Sequence, residues 1–174
     1  MFNIKKLVAI LCMLSKQLGV LDKGKICKLL FYIDKIHLIE YGRVVTGDRY
    51  YKLPRGPIPT RTLDILNEAE VNLFPEESEW FFRHLEVKKD KNRSTKCIKE
   101  PDYDELSKSE KAIIARVIED YGKYDFSKLI NITHEDMAFK IANPQEEITI
   151  QKMIADLSVD RQKEIIASLK SQKE

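Results

Sequence analysis

The stretch of sequence that decides the fold runs from Lys28 to Arg43 and reads KLLFYIDKIHLIEYGR. Its apolar residues fall on more than one side of a helical wheel. Just upstream, Asp22 is a suitable N-cap, and Gly42 is a suitable C-terminal stop. The sequence therefore predicts a helix over about Lys23–Tyr41 that neighbouring elements cover on several faces, in the centre of the hydrophobic core.

The segments on either side of this helix predict another helix and a small β-element. An apolar run predicts a first helix over Ile4–Leu18, with Gly19 as its stop. After the central helix, β-branched and aromatic pairs surround Thr46-Gly47-Asp48. This pattern predicts a short hairpin or irregular β-arm over Arg43–Leu53 that turns at the Gly-Asp pair.

Three prolines follow this arm, at positions 54, 57 and 59. Because proline lacks a backbone N–H and has a fixed φ, the run predicts a segment without regular structure. Gly56 between the prolines supplies backbone freedom. Thr60 is then the predicted N-cap of a third helix that runs to about Ala69.

The second half of the chain carries one hairpin signal and one strong helix signal. Trp80–Lys88 and Arg93–Lys99 flank the turn residues Asp90-Lys91-Asn92, which predicts an antiparallel hairpin. The residues from Ser107 to Glu110 form a capping box ahead of an apolar helical pattern. A helix is therefore expected to begin there and to end at Gly122.

The remaining helices are expected to be short. The sequence predicts them around Phe126–Ile130 and Glu135–Ile141, then from Asn143-Pro144 by the cap-then-proline pattern, and over Val159–Ser168. The expected architecture is mainly α. It is one compact helical domain over residues 1–174, with a short β-arm after the central helix and a β-hairpin around residues 80–99.

Composition narrows the class of protein. With 174 residues, 43% hydrophobic and 33% charged, the chain is typical of one globular domain. Its net charge of +2 indicates neither a nucleic-acid nor a membrane partner. Three cysteines without a CxxC spacing favour a reducing compartment over a disulfide framework or a zinc site. The apolar run Leu7–Leu14 is too short to span a bilayer and no small-residue cleavage site follows it, so a cytoplasmic protein is expected.

The sequence carries few motifs of catalysis. It contains no Walker loop, GxGxxG, GxSxG or HExxH pattern. One metal site stays open as an alternative, in which Asp34 and His37 on the central helix are joined by His134 in a metal-dependent hydrolase. The other interpretation is a buried, hydrogen-bonded cluster that fixes the helix against the β-arm. We favour the second, and therefore expect no enzymatic activity, no cofactor and no bound metal.

The predicted hairpin concentrates positive charge. From Arg83 to Lys99, seven basic residues stand against two acidic ones, a net charge of +5. Such a ribbon would suit nucleic acid or an acidic protein surface. Alternatively, it is a solvated edge whose charges prevent strand pairing. The candidate partner-binding residues are Arg55 in the proline-rich loop and Lys88, Lys89, Lys91 and Arg93 in the hairpin.

Five motifs in a fixed order point to a known family. After the central helix come TGDRY at 46–50, RGPIP at 55–59, DELSKSE at 104–110 and Thr133-His134. The chain resembles the Panacea domain, also called the SocA-like antitoxin domain and related to phage-associated GepA proteins, over about residues 23–139. That family shows K-L-L-Y-x-A-D-x-x-H-L-x-x-Y-G, then T-G-D-x-Y, G-P-x-P, D-x-L-S-x-x-E and a T-H pair. Here Ile33 replaces a small residue, and the aromatic that often follows the T-H pair is shifted to Phe139.

The resemblance implies an antitoxin of a type II toxin–antitoxin system that neutralises a toxin encoded nearby by direct protein–protein contact. A SocA-type member instead acts as a proteolytic adaptor that delivers its toxin to a protease. A DNA-binding regulator that uses the basic segment is a third possibility. The resemblance also implies a scaffold role for the motif residues, which are Asp34, His37, Tyr41, Gly42, Gly47, Asp48, Tyr50, Gly56, Pro57 and His134.

Overall fold

A computed structural model of the protein describes residues 1–171 and is mainly α-helical, as the sequence predicts. Its helices are α1 (Ile4–Leu18), α2 (Lys23–Tyr41), α3 (Thr60–Asn72), α4 (Pro75–His84), α5 (Lys108–Tyr121), α6 (Phe126–Glu135), α7 (Met137–Ile141), α8 (Ile150–Met153) and α9 (Val159–Ser171). Its strands are β1 (Tyr50–Leu53), β2 (Gly56–Pro59), β3 (Leu85–Val87), β4 (Thr95–Cys97) and β5 (Glu147–Ile148). None of the helices within 1–171 combines the length and apolar composition needed to cross a membrane.

Helix α2 lies at the centre of the core, and this prediction is confirmed. Every residue from 26 to 35 is buried, and the helix packs against α3, α5, α6 and β2. The predicted caps are also present. The Asp22 side chain accepts a hydrogen bond from the backbone N–H of Lys25 (2.8 Å), and Gly42 ends the helix in the left-handed conformation.

The β-arm differs from the sequence prediction in the position of its turn. Strand β1 pairs antiparallel with β2, with Leu53 opposite Gly56, so the chain turns at Pro54-Arg55 and not at Gly47-Asp48. The prolines do not prevent strand formation, because β2 lies at the edge of a three-stranded sheet in the order β2-β1-β5. An edge strand tolerates proline, since a missing N–H on its outer side leaves no partner unsatisfied.

The Gly47-Asp48 segment caps helix α3. The prediction that Thr60 caps this helix is therefore wrong. Thr60 makes no cap hydrogen bond for this helix. The Asp48 carboxylate instead accepts hydrogen bonds from the backbone N–H groups of Arg61 (3.1 Å) and Thr62 (2.8 Å). An acceptor from a distant loop therefore caps α3, and local sequence spacing did not reveal it.

The predicted hairpin over 80–99 is wrong in its first half. Trp80–His84 belongs to helix α4, and only Leu85–Val87 and Thr95–Cys97 pair as strands. The signals of a helix start were present, because Pro75 occupies the first turn and the Glu77 side chain accepts from the backbone N–H of Phe74 (3.1 Å). The remaining hairpin is short, and residues 88–92 between its strands are exposed.

The C-terminal region departs from the prediction at Asn143-Pro144. These residues form a turn ahead of β5, with Gln145 at a positive φ of 63°, and do not open a helix. The next helix, α8, begins only after Thr149, whose side chain caps it. Helix α6 is longer than predicted, because its end is set by Asp136, which caps α7.

The turn glycine Gly56 gives a test of this packing. Its φ is +104°, and a Cβ atom there would lie 2.6 Å from Lys28 Cε and 2.8 Å from Thr133 Oγ1. Gly56→Ala is expected to lower the free energy of unfolding by about 2–4 kcal/mol, from backbone strain plus overpacking. Gly19→Ala is the matched control, because Gly19 also has a positive φ (+77°) but nothing lies within 4 Å of its added Cβ. Equal losses for the two variants in urea denaturation would contradict the packing described for Gly56.

Candidate functional site

The family-like motif residues meet around the buried carboxylate of Asp34 on α2. Its Oδ1 accepts hydrogen bonds from the backbone N–H groups of Val45 (2.6 Å) and Thr46 (2.8 Å). Its Oδ2 accepts from the Tyr50 hydroxyl (2.7 Å) and from the Thr46 hydroxyl. Burial raises the pKa of Asp34, and these four hydrogen bonds oppose that shift. One side chain of the central helix thus holds the whole segment that leads into β1.

His37, one turn further along α2, fixes the beginning of the same segment. Its Nδ1 lies 2.7 Å from the carbonyl oxygen of Arg43, and its Nε2 lies 3.1 Å from Ser109 Oγ on α5. Burial lowers the pKa of His37, which favours the neutral ring. In that form Nδ1–H donates to the carbonyl and Nε2 accepts from the Ser109 hydroxyl. Tyr41 stacks on the ring with centroids 4.8 Å apart.

An ion-pair cluster joins this region to α1 and α5. The Glu110 side chain accepts from Lys6 Nζ (2.6 Å), from the Arg43 guanidinium and from the backbone N–H of Ser107 (2.8 Å). Although burial opposes it, the hydrogen bonds from Lys6 and Arg43 lower the pKa of Glu110 to about 2. The sequence pattern predicts only a capping role for Glu110. Its second role depends on residues more than 60 positions away, and no local pattern signals it.

A second cluster forms around Lys28, the first residue of the quoted stretch. Lys28 is buried, and its Nζ donates to the carbonyl oxygen of Pro57 (3.0 Å) and lies 5.8 Å from the centre of the Phe126 ring. Gly56 leaves room for this side chain, and a Cβ atom at Gly56 would also lie 2.8 Å from Thr133 Oγ1. The motif residues Gly56 and Pro57 therefore lie against one buried ammonium group. No carboxylate within residues 1–171 forms an ion pair with it, and burial lowers the pKa of Lys28 to about 8.

The three residues of the metal-site alternative are not brought together. His134 stacks against Phe139, with ring centroids 4.6 Å apart, and not against Asp34 or His37. In the part of the chain that the structure describes, no group of three or more His, Cys, Asp or Glu residues could hold a metal ion. The hydrogen-bonding positions of Asp34 and His37 are taken by protein groups.

The predicted partner-binding residue Arg55 stands at the tip of the β1–β2 hairpin. Leu53, Pro54 and Arg55 are all exposed there. The Arg55 guanidinium has no hydrogen bond or ion pair with any residue of the described range 1–171. The strand pair and the packing of Gly56 against Lys28 hold the turn in place beneath it.

The other predicted partner-binding residues lie in residues 88–93, which we name the basic turn. Lys88, Lys89 and Lys91 are exposed, and Arg93 is half-buried with a φ of +49°. The Asp90 carboxylate closes the turn by accepting from the backbone N–H of Ser94 (3.1 Å) and from its hydroxyl (2.7 Å). The positive charges are therefore displayed on an ordered turn.

An apolar surface that the sequence did not indicate lies next to the basic turn. Phe82 on α4 lines a shallow depression together with Glu70, Lys89 and Arg93. Lys89 Nζ lies 3.7 Å from the Glu70 carboxylate. Val71, the residue after Glu70 in α3, is 78% exposed, and Phe74 in the α3–α4 connection is 71% exposed. We name Val71, Phe74 and Phe82 the apolar patch. Val71 lies in α3, Phe74 in the α3–α4 connection and Phe82 in α4, so no helical periodicity marks them.

The buried ammonium group of Lys28 predicts a pH-dependent stability. The folded-state pKa is about 8, below the ordinary 10.5. Between these values the unfolded chain binds more protons, so the Lys28 contribution to stability rises with pH. Relative to Lys28→Met, the wild type should gain about 2–3 kcal/mol of unfolding free energy between pH 7.5 and pH 10.5. Buried thiols oppose this gain, because burial raises the pKa of Cys27 to about 12. Both proteins keep these thiols, so the effect that they share drops out of the comparison. A constant difference between the two proteins in urea titrations would contradict a lowered pKa.

The family model described as antitoxin SocA-like, Panacea domain, matches residues 26–140. The sequence matches no curated protein and no solved structure. The matched region begins in α2 and ends in α7, so it contains the Asp34, His37 and Lys28 clusters. The chain belongs to the SocA-like antitoxin family and carries its Panacea domain over residues 26–140.

Proposed function

We propose that this protein is the antitoxin of a type II toxin–antitoxin system and that it neutralises its toxin by direct protein–protein binding, without catalysis. The observation that carries the proposal is the family match over residues 26–140. The geometry is compatible with it, because the polar motif side chains of Asp34, His37 and Lys28 bond to groups inside the protein. Recognition of a partner is then left to exposed residues.

The surface that best suits a protein partner combines the apolar patch with the basic turn. Binding energy in protein interfaces comes mainly from a few aromatic or arginine anchors that become buried. Phe74 and Phe82 are exposed aromatic side chains of this kind. Charges around such anchors mainly accelerate association and select among partners. Lys88 and Lys91 supply exposed positive charge in the basic turn, whose Lys89 and Arg93 line the same depression as Phe82, so the proposed partner face carries acidic groups beside an apolar centre.

The tip of the β1–β2 hairpin is the second exposed surface that suits a partner. Arg55 stands there next to Leu53, which is 36% exposed. Arginine is enriched among residues that dominate binding energy. This tip lies within the matched family region, as does the basic turn.

Co-expression tests the proposed function. The product of the neighbouring gene should stop growth when it is expressed alone, and growth should return when this protein is expressed with it. A frameshifted copy of this gene controls for effects of the transcript and should not restore growth. A neighbouring product that leaves growth unchanged, or toxicity that this protein does not relieve, would remove the antitoxin role.

Charge reversal in the basic turn tests the proposed partner surface. Replacing Lys88, Lys89 and Lys91 with Glu should slow association with the toxin about tenfold or more at low ionic strength. The effect should nearly vanish at 1 M salt, where the Debye length is about 3 Å. Unfolding in urea should be unchanged, because these three side chains are exposed.

A matched control carries the same change in net charge outside the basic turn. Lys108, Lys128 and Lys163 are exposed and lie on three other helices. Replacing these three with Glu should leave the association rate close to that of the wild type. If stopped-flow measurements give the same rate for the two triple variants, the basic turn is a solvated edge. If the basic-turn variant instead loses only salt-dependent binding to DNA, the surface belongs to a nucleic-acid partner.

A further inference from the structure

Two cysteines that are 85 positions apart in the sequence meet in the fold. Cys12 lies on α1 and Cys97 ends β4, and their sulfur atoms are 2.7 Å apart. All three cysteines are free thiols, and the third, Cys27, is buried on α2. Since a disulfide bond measures about 2.05 Å, the two sulfurs need to move by less than about 1 Å to form one.

The backbone around this pair is held on both sides. The backbone N–H of Cys97 donates to Ser15 Oγ on α1 (2.9 Å). Two residues earlier, Thr95 exchanges backbone hydrogen bonds with Leu21, at 2.8 and 2.9 Å. Helix α1 and strand β4 are therefore fixed against each other at Cys12 and Cys97, and the approach of the thiols does not depend on a mobile segment.

The two thiols differ in their access to solvent. Cys97 is half-buried and lines a surface groove of about 380 Å³, together with the exposed residues Val20 and Ile98. Cys12 is fully buried, and burial raises its pKa well above the ordinary value. An oxidant in solution therefore reaches Cys97 first, and Cys12 keeps its proton until a bond forms.

We propose that Cys12 and Cys97 form a reversible disulfide bond when the protein meets a peroxide, with Cys97 as the thiol that reacts first. The Cys97 sulfur attacks one oxygen of hydrogen peroxide, the O–O bond breaks, and a sulfenic acid and one water form. The Cys12 sulfur then attacks the Cys97 sulfur. The S–S bond forms, the S–O bond breaks, and hydroxide leaves with the Cys12 proton as a second water. The thiol pair is oxidised by two electrons, and the peroxide is reduced.

The disulfide bond would restrain the hairpin that carries the basic turn. It ties α1 to the β3–β4 hairpin, which carries the basic turn. A cross-link across such a long loop restricts the unfolded chain and favours the folded one. The oxidised protein should therefore unfold at a higher urea concentration than the reduced protein.

Mass spectrometry of the full-length protein tests the inference. After treatment with hydrogen peroxide and removal of the excess, the protein should lose two hydrogen atoms, and one of its three free thiols should remain. A proteolytic digest without reductant should contain the Cys12 peptide linked to the Cys97 peptide. Dithiothreitol should restore the original mass and all three thiols.

Two cysteine variants show which thiols form the disulfide bond. Cys27→Ala should still lose two hydrogen atoms, because Cys27 takes no part in the pair. Cys97→Ser changes a half-buried residue at the surface, and it should lose none. The proposal is wrong if the peroxide-treated wild type carries oxygen on Cys97 without a Cys12–Cys97 peptide. It is equally wrong if Cys97 links two copies of the chain.

Discussion

The buried carboxylate of Asp34 is the constraint on which the rest of the fold depends. It accepts four hydrogen bonds from three residues that follow the central helix, namely Val45, Thr46 and Tyr50. A buried donor that is left without a partner costs about 1–3 kcal/mol. The cost of leaving all four donors unpaired would be a large part of the total free energy of unfolding, which is about 5–15 kcal/mol for a domain. The carboxylate thus directs the chain from α2 into the sheet, and the position of β1 then sets the exposed hairpin tip at Arg55 and the sheet partner β5.

The parts of the fold with local signals could be predicted from the sequence. Helix α2 has an aspartate at its start and a left-handed glycine at its end, and the structure has the same bounds. The capping box of Ser107 and Glu110 likewise marks the start of α5 correctly. Caps act within one turn of a helix, so nearby residues are enough to identify them. The family resemblance also rested on local motifs, and the matched region confirms it.

The parts of the fold that lack a local signal in the sequence depend on contacts between distant residues. Proline-rich β2 forms a strand because it lies at a sheet edge, and the order of strands cannot be inferred from its own composition. Strand β5 is two residues long and exists through its pairing with β1. The Lys28 and Glu110 clusters, and the approach of Cys12 to Cys97, join residues 29 to 104 positions apart. The apolar patch follows from the way α3 meets α4, which no single helix reveals.

We propose that the scaffold and the recognition surface of this protein are separate. The motif residues hold α2 and the β-arm together, and the proposal assigns partner recognition to the exposed residues of the hairpin tip, the basic turn and the apolar patch. The most direct test is titration calorimetry of the purified protein with the purified product of the neighbouring gene. An antitoxin that binds directly should give saturable binding at micromolar concentration or below, with loss of the toxin's activity in the complex. No heat of binding, with the toxin fully active in the presence of excess folded protein, would contradict direct neutralisation of the toxin.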